Sequence, residues 1–406
     1  SDCSELTAQL SSTLTSTSAF LQDLKTLMKE SGEHLNSGTQ QTLDGLIGAL
    51  SQALNASDST TDLRNANGSI KEAVDDQLDQ YENDSKFLNL DAEEEGVFFT
   101  SCAGGVRTDL SLPLKYTGST EDITYTLTLC GLNGGHSGLD IALGKANAIQ
   151  LVGRILYHIA PFARISSLDA PGKANAIASK GTIVMHTSSQ DEEALLKELS
   201  KLEEMLKAQF SETENLSFRL EKEEQKKEVT VFTEETMNSI IEAITFLPCG
   251  VISRTRENVE MVQTSSNIGS MTIQDGTLEF LCSGRSSVKL EKAQLKEKMQ
   301  ILSKALGMNC TFHGDYPQWE YRKESKLRDI CAKTYREYSG KDAVFTGIHA
   351  GIECGYLAEK LGDHIDMISC GANLYDVHTP HEKADVESFY RMEEVIIAIL
   401  QEIAKA

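Results

Sequence analysis

From about Gly96 onward the chain alternates glycine clusters, β-branched runs and amphipathic stretches, and this texture is absent before that point. Strands interleaved with covering helices pack as α/β or α+β layers, so this alternation constrains the fold more than any other feature. Thr124–Cys130 (TYTLTLC) alternates as a half-buried strand does, and Gly181–His186 is a second strand candidate. Leu139–His158 carries apolar residues at helical spacing. Glu192–Phe210 places Leu195, Leu196, Leu199, Leu202 and Leu206 on one side of a helix. After a charged link at Glu221–Glu228, helix, three strands and helix recur at Glu234–Phe246, Val259–Thr264, Met271–Gln274, Glu279–Cys282 and Lys292–Leu306.

Residues 1–85 read differently. They are rich in Ser, Thr, Asn, Gln, Leu and Ala, hold no Pro or Trp, and carry fourteen acidic against four basic residues. Leucines recur at helical spacing in Leu6, Leu10 and Leu14 and again in Leu21, Leu24 and Leu27. Further helices are expected at Thr39–Leu54 and Asp62–Tyr81, with a turn at Asn55–Ser59. The expectation is a small helical hairpin or coiled segment. Its single histidine, His34, has no catalytic partner at a useful spacing.

The 406 residues suffice for two or three domains. A formal charge of −23 repels phosphates and anionic lipid, so neither nucleic acid nor a membrane surface is expected as a partner. Nine cysteines, an odd number without a C-x-x-C pair, argue against a disulfide framework and a thiolate zinc site. No apolar run approaches the roughly 20 residues of a membrane span. The polar first residues show no signal-peptide pattern. A reducing, cytoplasmic setting is the expectation.

Several clusters could carry chemistry. Leu88–Gly96 (LNLDAEEEG) ends an apolar strand in Asp91 and three glutamates, placing hard oxygen donors at a strand's carboxyl edge. A solvated acidic turn would look the same. Gly131–Gly138 (GLNGGHSG) frames His136 with flexible glycines, where Ser137 could alternatively cap a following helix. Ala174–Ile177 (ANAI) is a third cluster. Arg285 ends a strand in CSGR and could fork onto a carboxylate. HAGIECG at His349–Gly355 and DVHTPHEK at Asp376–Lys383 complete the set. A lone histidine in such a loop is seldom a metal ligand, so none of these decides the matter alone.

Their order does. LNLDAEEEG, CAGG at Cys102–Gly105, GLNGGHSG, ANAI, SSNIG at Ser265–Gly269, GRS, YPQW at Tyr316–Trp319, HAGIECG and HTPHEK together resemble the aminoacyl-histidine dipeptidases of the M20 metallopeptidase family, over residues 87–406. The resemblance implies an α/β (α+β) fold, with a zinc-peptidase catalytic domain at 87–104 and 317–406 interrupted by an α+β lid and dimerisation domain at 105–316. It implies two zinc ions per site, a dipeptide substrate such as Xaa-His, and a homodimer formed through the lid. Position by position, Asp91 matches a ligand of one metal and His378 a ligand of the other. His136 matches the lid histidine that supports the tetrahedral oxyanion. Asn175 and Arg285 match lid residues that hold the substrate's polar end and carboxylate. His349, Glu353 and Gly371 fall in segments near the substrate. His381 stands where the family usually has Asp.

Residues 1–86 depart from the family. The His-x-Asp metal motif, the bridging Asp and the paired Glu of the general base belong upstream of Asp91, and none occurs there. That segment instead resembles the polar helical stalk of the phage-infection (YhgE/Pip) membrane proteins, through its Ser/Leu/Asn-rich helices and the ending QYENDSKFLNLD. The catalytic domain is therefore expected to be incomplete. Three functions stay open: metal-dependent dipeptide hydrolysis with ligands supplied from elsewhere, a non-catalytic remnant or fusion that binds or dimerises, or, from residues 1–85 alone and against the lack of a membrane span, an envelope interaction protein.

Overall fold

The alternating run of Thr124–Cys130 becomes a strand in which Tyr125, Leu127 and Leu129 face a buried core while Thr126, Thr128 and Cys130 face the other way. The computed structural model describes residues 85–405 except 224–227, 257–258, 363–364 and 378. Nearly all of these belong to one compact unit, Lys86–Gly362 with Asp366–Ala406. The helices expected within residues 1–85, and the stalk-like resemblance, lie outside the described residues.

In chain order the main elements begin with strands β1 (Ser85–Asn89), β2 (Val97–Cys102), β3 (Gly104–Pro113) and β4 (Ile123–Cys130). Helix α1 (Ala148–Ile159), β5 (Arg164–Asp169), β6 (Gly181–Thr187), α2 (Glu192–Gln209), β7 (Ser217–Glu223) and α3 (Glu234–Phe246) follow. Then come β8 (Gly250–Arg254), β9 (Val262–Gln274), β10 (Thr277–Ser286), α4 (Lys289–Ala305) and β11 (Asn309–Tyr316). The chain closes with α5 (Lys326–Ser339), β12 (Val344–Ile348), α6 (Cys354–Leu361), β13 (Ile365–Ser369) and α7 (Val386–Lys405).

Three sheets organise the unit. β8-β9-β10-β3-β11 form a five-stranded antiparallel sheet, and β7-β4-β6-β5 a four-stranded one. A bridge between Ala170 and Met271 couples them, with N–H···O distances of 2.7 and 2.9 Å. Helices α1, α2 and α3 cover them with Ile149, Ile155, Leu195, Leu199 and Ile240, in one core that also takes Leu127, Ile183 and Phe280. The third sheet, β1-β13-β2-β12, is assembled from segments on either side of the long stretch between Gly104 and Tyr316. Its core is smaller: Phe98, Ile368 and Cys370 pack on Leu327, Cys331 and Tyr335 of α5 and Met392, Val395 and Ile399 of α7. The two ends of the long stretch meet, because Cys102 and Trp319 exchange backbone hydrogen bonds of 2.9 and 3.1 Å.

Two local expectations differ from the structure. The expected strands Val259–Thr264 and Met271–Gln274 are one strand, β9, buried continuously from Thr264 to Met271. Its middle is small and polar because β8 and β10 flank it and the Lys173–Ala174 backbone lies against Gly269, where a side chain would overlap the Lys173 carbonyl oxygen. β9 then turns into β10 through Asp275 and Gly276, both at positive φ, the two-residue Asp-Gly hairpin. The apolar run at Leu139–His158 also splits. A short 3-10 turn at Ile141–Leu143 ends at Gly144 with φ of 70°, and α1 starts only after Asn147. Asn147 is its cap, with Oδ1 accepting from Ile149 N at 2.9 Å, so Ser137 does not cap this helix. Among the described residues no helix is long and apolar enough to cross a membrane.

Candidate substrate site

His136 sits in a loop that other residues hold at both ends. Glu214, 7% exposed, accepts from Asn133 N at 2.6 Å with one carboxylate oxygen and from Ala146 N at 2.9 Å with the other. Gly131 lies so close to the Asn215 carbonyl that a side chain there would overlap it, and its φ of 75° suits glycine. Within the loop, His136 N donates to Asp140 Oδ2 at 2.8 Å, and Ser137 N donates to the Asn175 carbonyl at 2.9 Å. The backbone N–H groups of Gly138 and Leu139 both donate to His136 Nδ1, at 3.3 and 3.1 Å. A nitrogen that accepts two N–H groups carries no proton, so the neutral ring carries its proton on Nε2. The turn carrying Asn175 is clamped by buried Asn267, whose Nδ2 donates to the carbonyls of Ala174 and Ala176 at 3.2 and 2.8 Å. Asn175 itself is exposed beside His136.

Arg285 lies near the end of β10, 8% exposed. Its Nη1 donates to the Tyr316 hydroxyl at 2.9 Å, its Nε is enclosed without a hydrogen-bond partner, and among the described residues it forms no salt bridge. Burial raises the Tyr316 phenol above its ordinary range, so this partner is neutral. A buried guanidinium without a counter-ion costs on the order of several kcal/mol. His349, from the loop after β12, shares a 2.7 Å hydrogen bond between Nε2 and Ser265 Oγ, and its Nδ1 is enclosed without a partner. Burial, with Arg285 and His136 beside it, pushes the His349 imidazole down to about 3, so it is neutral at any ordinary pH.

These groups converge on Gly138. A Cβ there would lie 2.6 Å from the His349 carbonyl, 3.1 Å from His136 Cε1 and 3.2 Å from Arg285 Nε. His136, Arg285 and His349 thus pack together around Gly138, with the enclosed and unpartnered Ser137 hydroxyl on the neighbouring residue. The buried Arg285 cation, whose Nε–H lacks an acceptor, is suited to an anionic oxygen.

The remaining candidates form a second group. Asp91, exposed, stands two residues beyond β1. Gly371 packs on the Ala92 backbone, where any side chain would overlap its carbonyl, so its role here is close approach. Of the three glutamates after Asp91, Glu95 is structural, gripped by Arg391 through Nε and Nη2 at 2.8 and 2.6 Å. Glu353 is exposed at the start of α6, outside the Arg285 group. His381 is exposed, its backbone N donating to Thr379 Oγ1 at 3.1 Å. His378 lies outside the described residues. Among the described residues no group of three or more His, Cys, Asp or Glu side chains could hold a metal ion. The donor set among the described residues therefore does not fit a two-metal centre.

Sequence reasoning missed Ser265, Glu214 and the role of Tyr316. Tyr316 and Ser265 lay inside quoted motifs, YPQW and SSNIG, without a job. Nothing in sequence marks Glu214, whose partners lie 81 and 68 residues away.

No protein-family model matches the chain. The cytosol non-specific dipeptidase of Escherichia coli (strain K12) is 30% identical over 320 residues, which is 78% of this chain and 65% of that protein. The crystal structure of aminoacylhistidine dipeptidase from Vibrio alginolyticus superposes with a TM-score of 0.73 at 28% identity, covering 80% of this chain and 67% of that one. Over this stretch the chain is similar to these dipeptidases in sequence and in fold. Both relatives are dipeptidases by name, and the mixed α/β fold described above is shared with the solved one. The chain spans about two thirds of the length of the relatives it matches.

Proposed function

We propose that this chain recognises small dipeptides by their carboxylate end, and that the described residues bind such a substrate without by themselves hydrolysing it. The observation that carries the reading is Arg285: buried, cationic, without a counter-ion among the described residues, and with an enclosed Nε–H lacking an acceptor. A substrate carboxylate would supply both the charge and the acceptor. The exposed Asn175 then stands near the substrate's polar end. His136, holding its proton on Nε2, is prepared to donate to a peptide carbonyl oxygen rather than to act as a base. His349 stays neutral and braces the site through Ser265. Residues 105–316 are assigned to a lid and the flanking segments to a catalytic domain.

Kinship with metal-dependent dipeptidases favours a second reading, in which hydrolysis of Xaa-His dipeptides proceeds once a full zinc shell is assembled around Asp91 and His378. The other ligands and the general base would have to come from outside the described residues. By analogy with a relative named for the cytosol, the cytoplasm is the proposed setting, and dimerisation through residues 105–316 is proposed on family resemblance.

Zinc stoichiometry, dipeptide binding by calorimetry and Xaa-His hydrolysis measured on one sample separate these readings. Binding with little zinc and no turnover is expected. Two zinc ions per chain with turnover would establish the second reading in its place, and absence of any binding would sink both.

A further inference from the structure

Resting on the carboxylate reading of Arg285, we propose that Tyr316 is the positioning residue that selects which edge of the guanidinium meets the ligand, and so makes the site specific for a free carboxylate. A guanidinium offers two bidentate faces: the side edge, Nε–H with Nη2–H, and the end edge, Nη1–H with Nη2–H. The Tyr316 hydroxyl accepts one N–H of Nη1 at 2.9 Å, which ties down that corner of the guanidinium. The side edge keeps its Nε–H enclosed and unpartnered, and Nε is the Arg285 atom nearest Gly138, beside His136 and the His349 carbonyl. The ligand's two oxygens therefore meet Nε and Nη2 in a fixed plane.

Tyr316 can set this orientation because it is itself fixed on every side. It pairs with Gly105 across β3 and β11, and a side chain at Gly105 would overlap its ring. On the other side Gly351, in the loop after His349, leaves room for the ring, since a Cβ there would lie 2.5 Å from Cε2. The Tyr316 carbonyl accepts from Lys292 Nζ at 2.6 Å. Lys292, 8% exposed, also pairs with Asp315 at 2.8 Å, so the end of β11 is anchored to α4. Two glycines and one buried lysine thus hold a phenol whose described hydrogen bond goes to Arg285. The ring is neutral, so it orients the cation without satisfying its charge.

The test is Tyr316→Phe in the full chain, which keeps the ring between its glycines and removes one oxygen. Two readouts are taken: calorimetric affinity for glycyl-histidine against glycyl-histidinamide, and the Nε–H signal of Arg285 in 15N NMR, assigned with Arg285→Lys. Wild type is expected to prefer the acid by about tenfold, the scale of a charged hydrogen-bond pair. Y316F should lose most of that preference, and its Nε–H signal should broaden as the guanidinium rotates. A Y316F protein that keeps both the preference and a sharp Nε–H signal overturns the proposal. If wild type shows no preference, the carboxylate reading fails; the Nε–H signal then decides the role of Tyr316, with an unchanged signal in Y316F overturning it.

Discussion

The stretch between Gly104 and Tyr316 and the small sheet that flanks it bury their apolar residues very differently. The long stretch folds two coupled sheets and their helices around one extensive core in which Ile149, Ile155, Ile183, Leu195 and Phe280 are fully buried. The flanking part has a core of nine buried residues. Among the described residues it also carries eleven of the twenty-one exposed large hydrophobic side chains, although it is about half as long, with Val386, Phe389, Tyr390, Ile397 and Leu400 all on α7. Burial scales with the apolar area a segment can enclose, so the first region is close to self-sufficient and the second is not. The groups that would hold a substrate are lodged mostly in the sturdy region. The one described metal-ligand candidate, Asp91, stands in the weaker one.

The contrast can be broken most directly in the large core. Phe280→Ala should cost about 3–5 kcal/mol, as truncation of a fully buried aromatic does, and should speed amide exchange across β9 and β10. Exchange in β13 should stay as it was. An equal rise in β13 would mean that the two regions open together and that the contrast is wrong. Gly351→Ala probes the border, because its methyl would press on the Tyr316 ring from the flanking side. Overpacking of this kind should cost about 1–3 kcal/mol in urea melts and weaken dipeptide binding.

Glu214→Gln sharpens the comparison within the sturdy region. It leaves one of the two loop amides, Asn133 N or the buried Ala146 N, without an acceptor, a loss of about 1–2 kcal/mol. Exchange should accelerate at Asn133 and Ala146 while the α1 core stays protected. The smallest effect concerns His349. Its folded value is depressed from 6.5 to about 3, so the unfolded chain binds the extra proton first as pH falls. The neutral ring's contribution is full above pH 6.5 and is lost as pH drops through the range down to about 3. Between pH 6.5 and 5.5 this amounts to about 1 kcal/mol, and it should vanish from the pH dependence of urea melts in His349→Gln.

The layered fold was legible wherever one face of an element is buried, as in Thr124–Cys130 and the leucine stripe of α2. It was illegible in β9, where both faces are buried by close neighbours and the residues that fit are small and polar: Ser265, Ser266, Asn267, Gly269 and Ser270. No periodicity survives in such a strand. At the site, His136, Arg285 and His349 could be named from glycine-framed motifs, and the structure brings these three together. That Asn175 contributes a backbone carbonyl, and that Gly371 serves close packing, follow only from contacts between distant segments. The absence of a His-x-Asp motif and a Glu-Glu pair from residues 1–86 is a sequence fact, and among the described residues no group of three or more ligand side chains makes it good.

The paired hydrogen bonds between Cys102 and Trp319 have a consequence in polymer terms. They close a loop of roughly 200 residues, yet closure entropy grows only logarithmically, by about 0.6 kcal/mol for each doubling of length. The flanking sheet therefore experiences the whole intervening segment almost as it would a modest loop, provided the two ends arrive side by side. A segment attached in this way can be lengthened, shortened or exchanged for another of matching ends with little strain on its host. The junction at Cys102 and Trp319 is accordingly the place to graft a foreign substrate-holding module onto this scaffold.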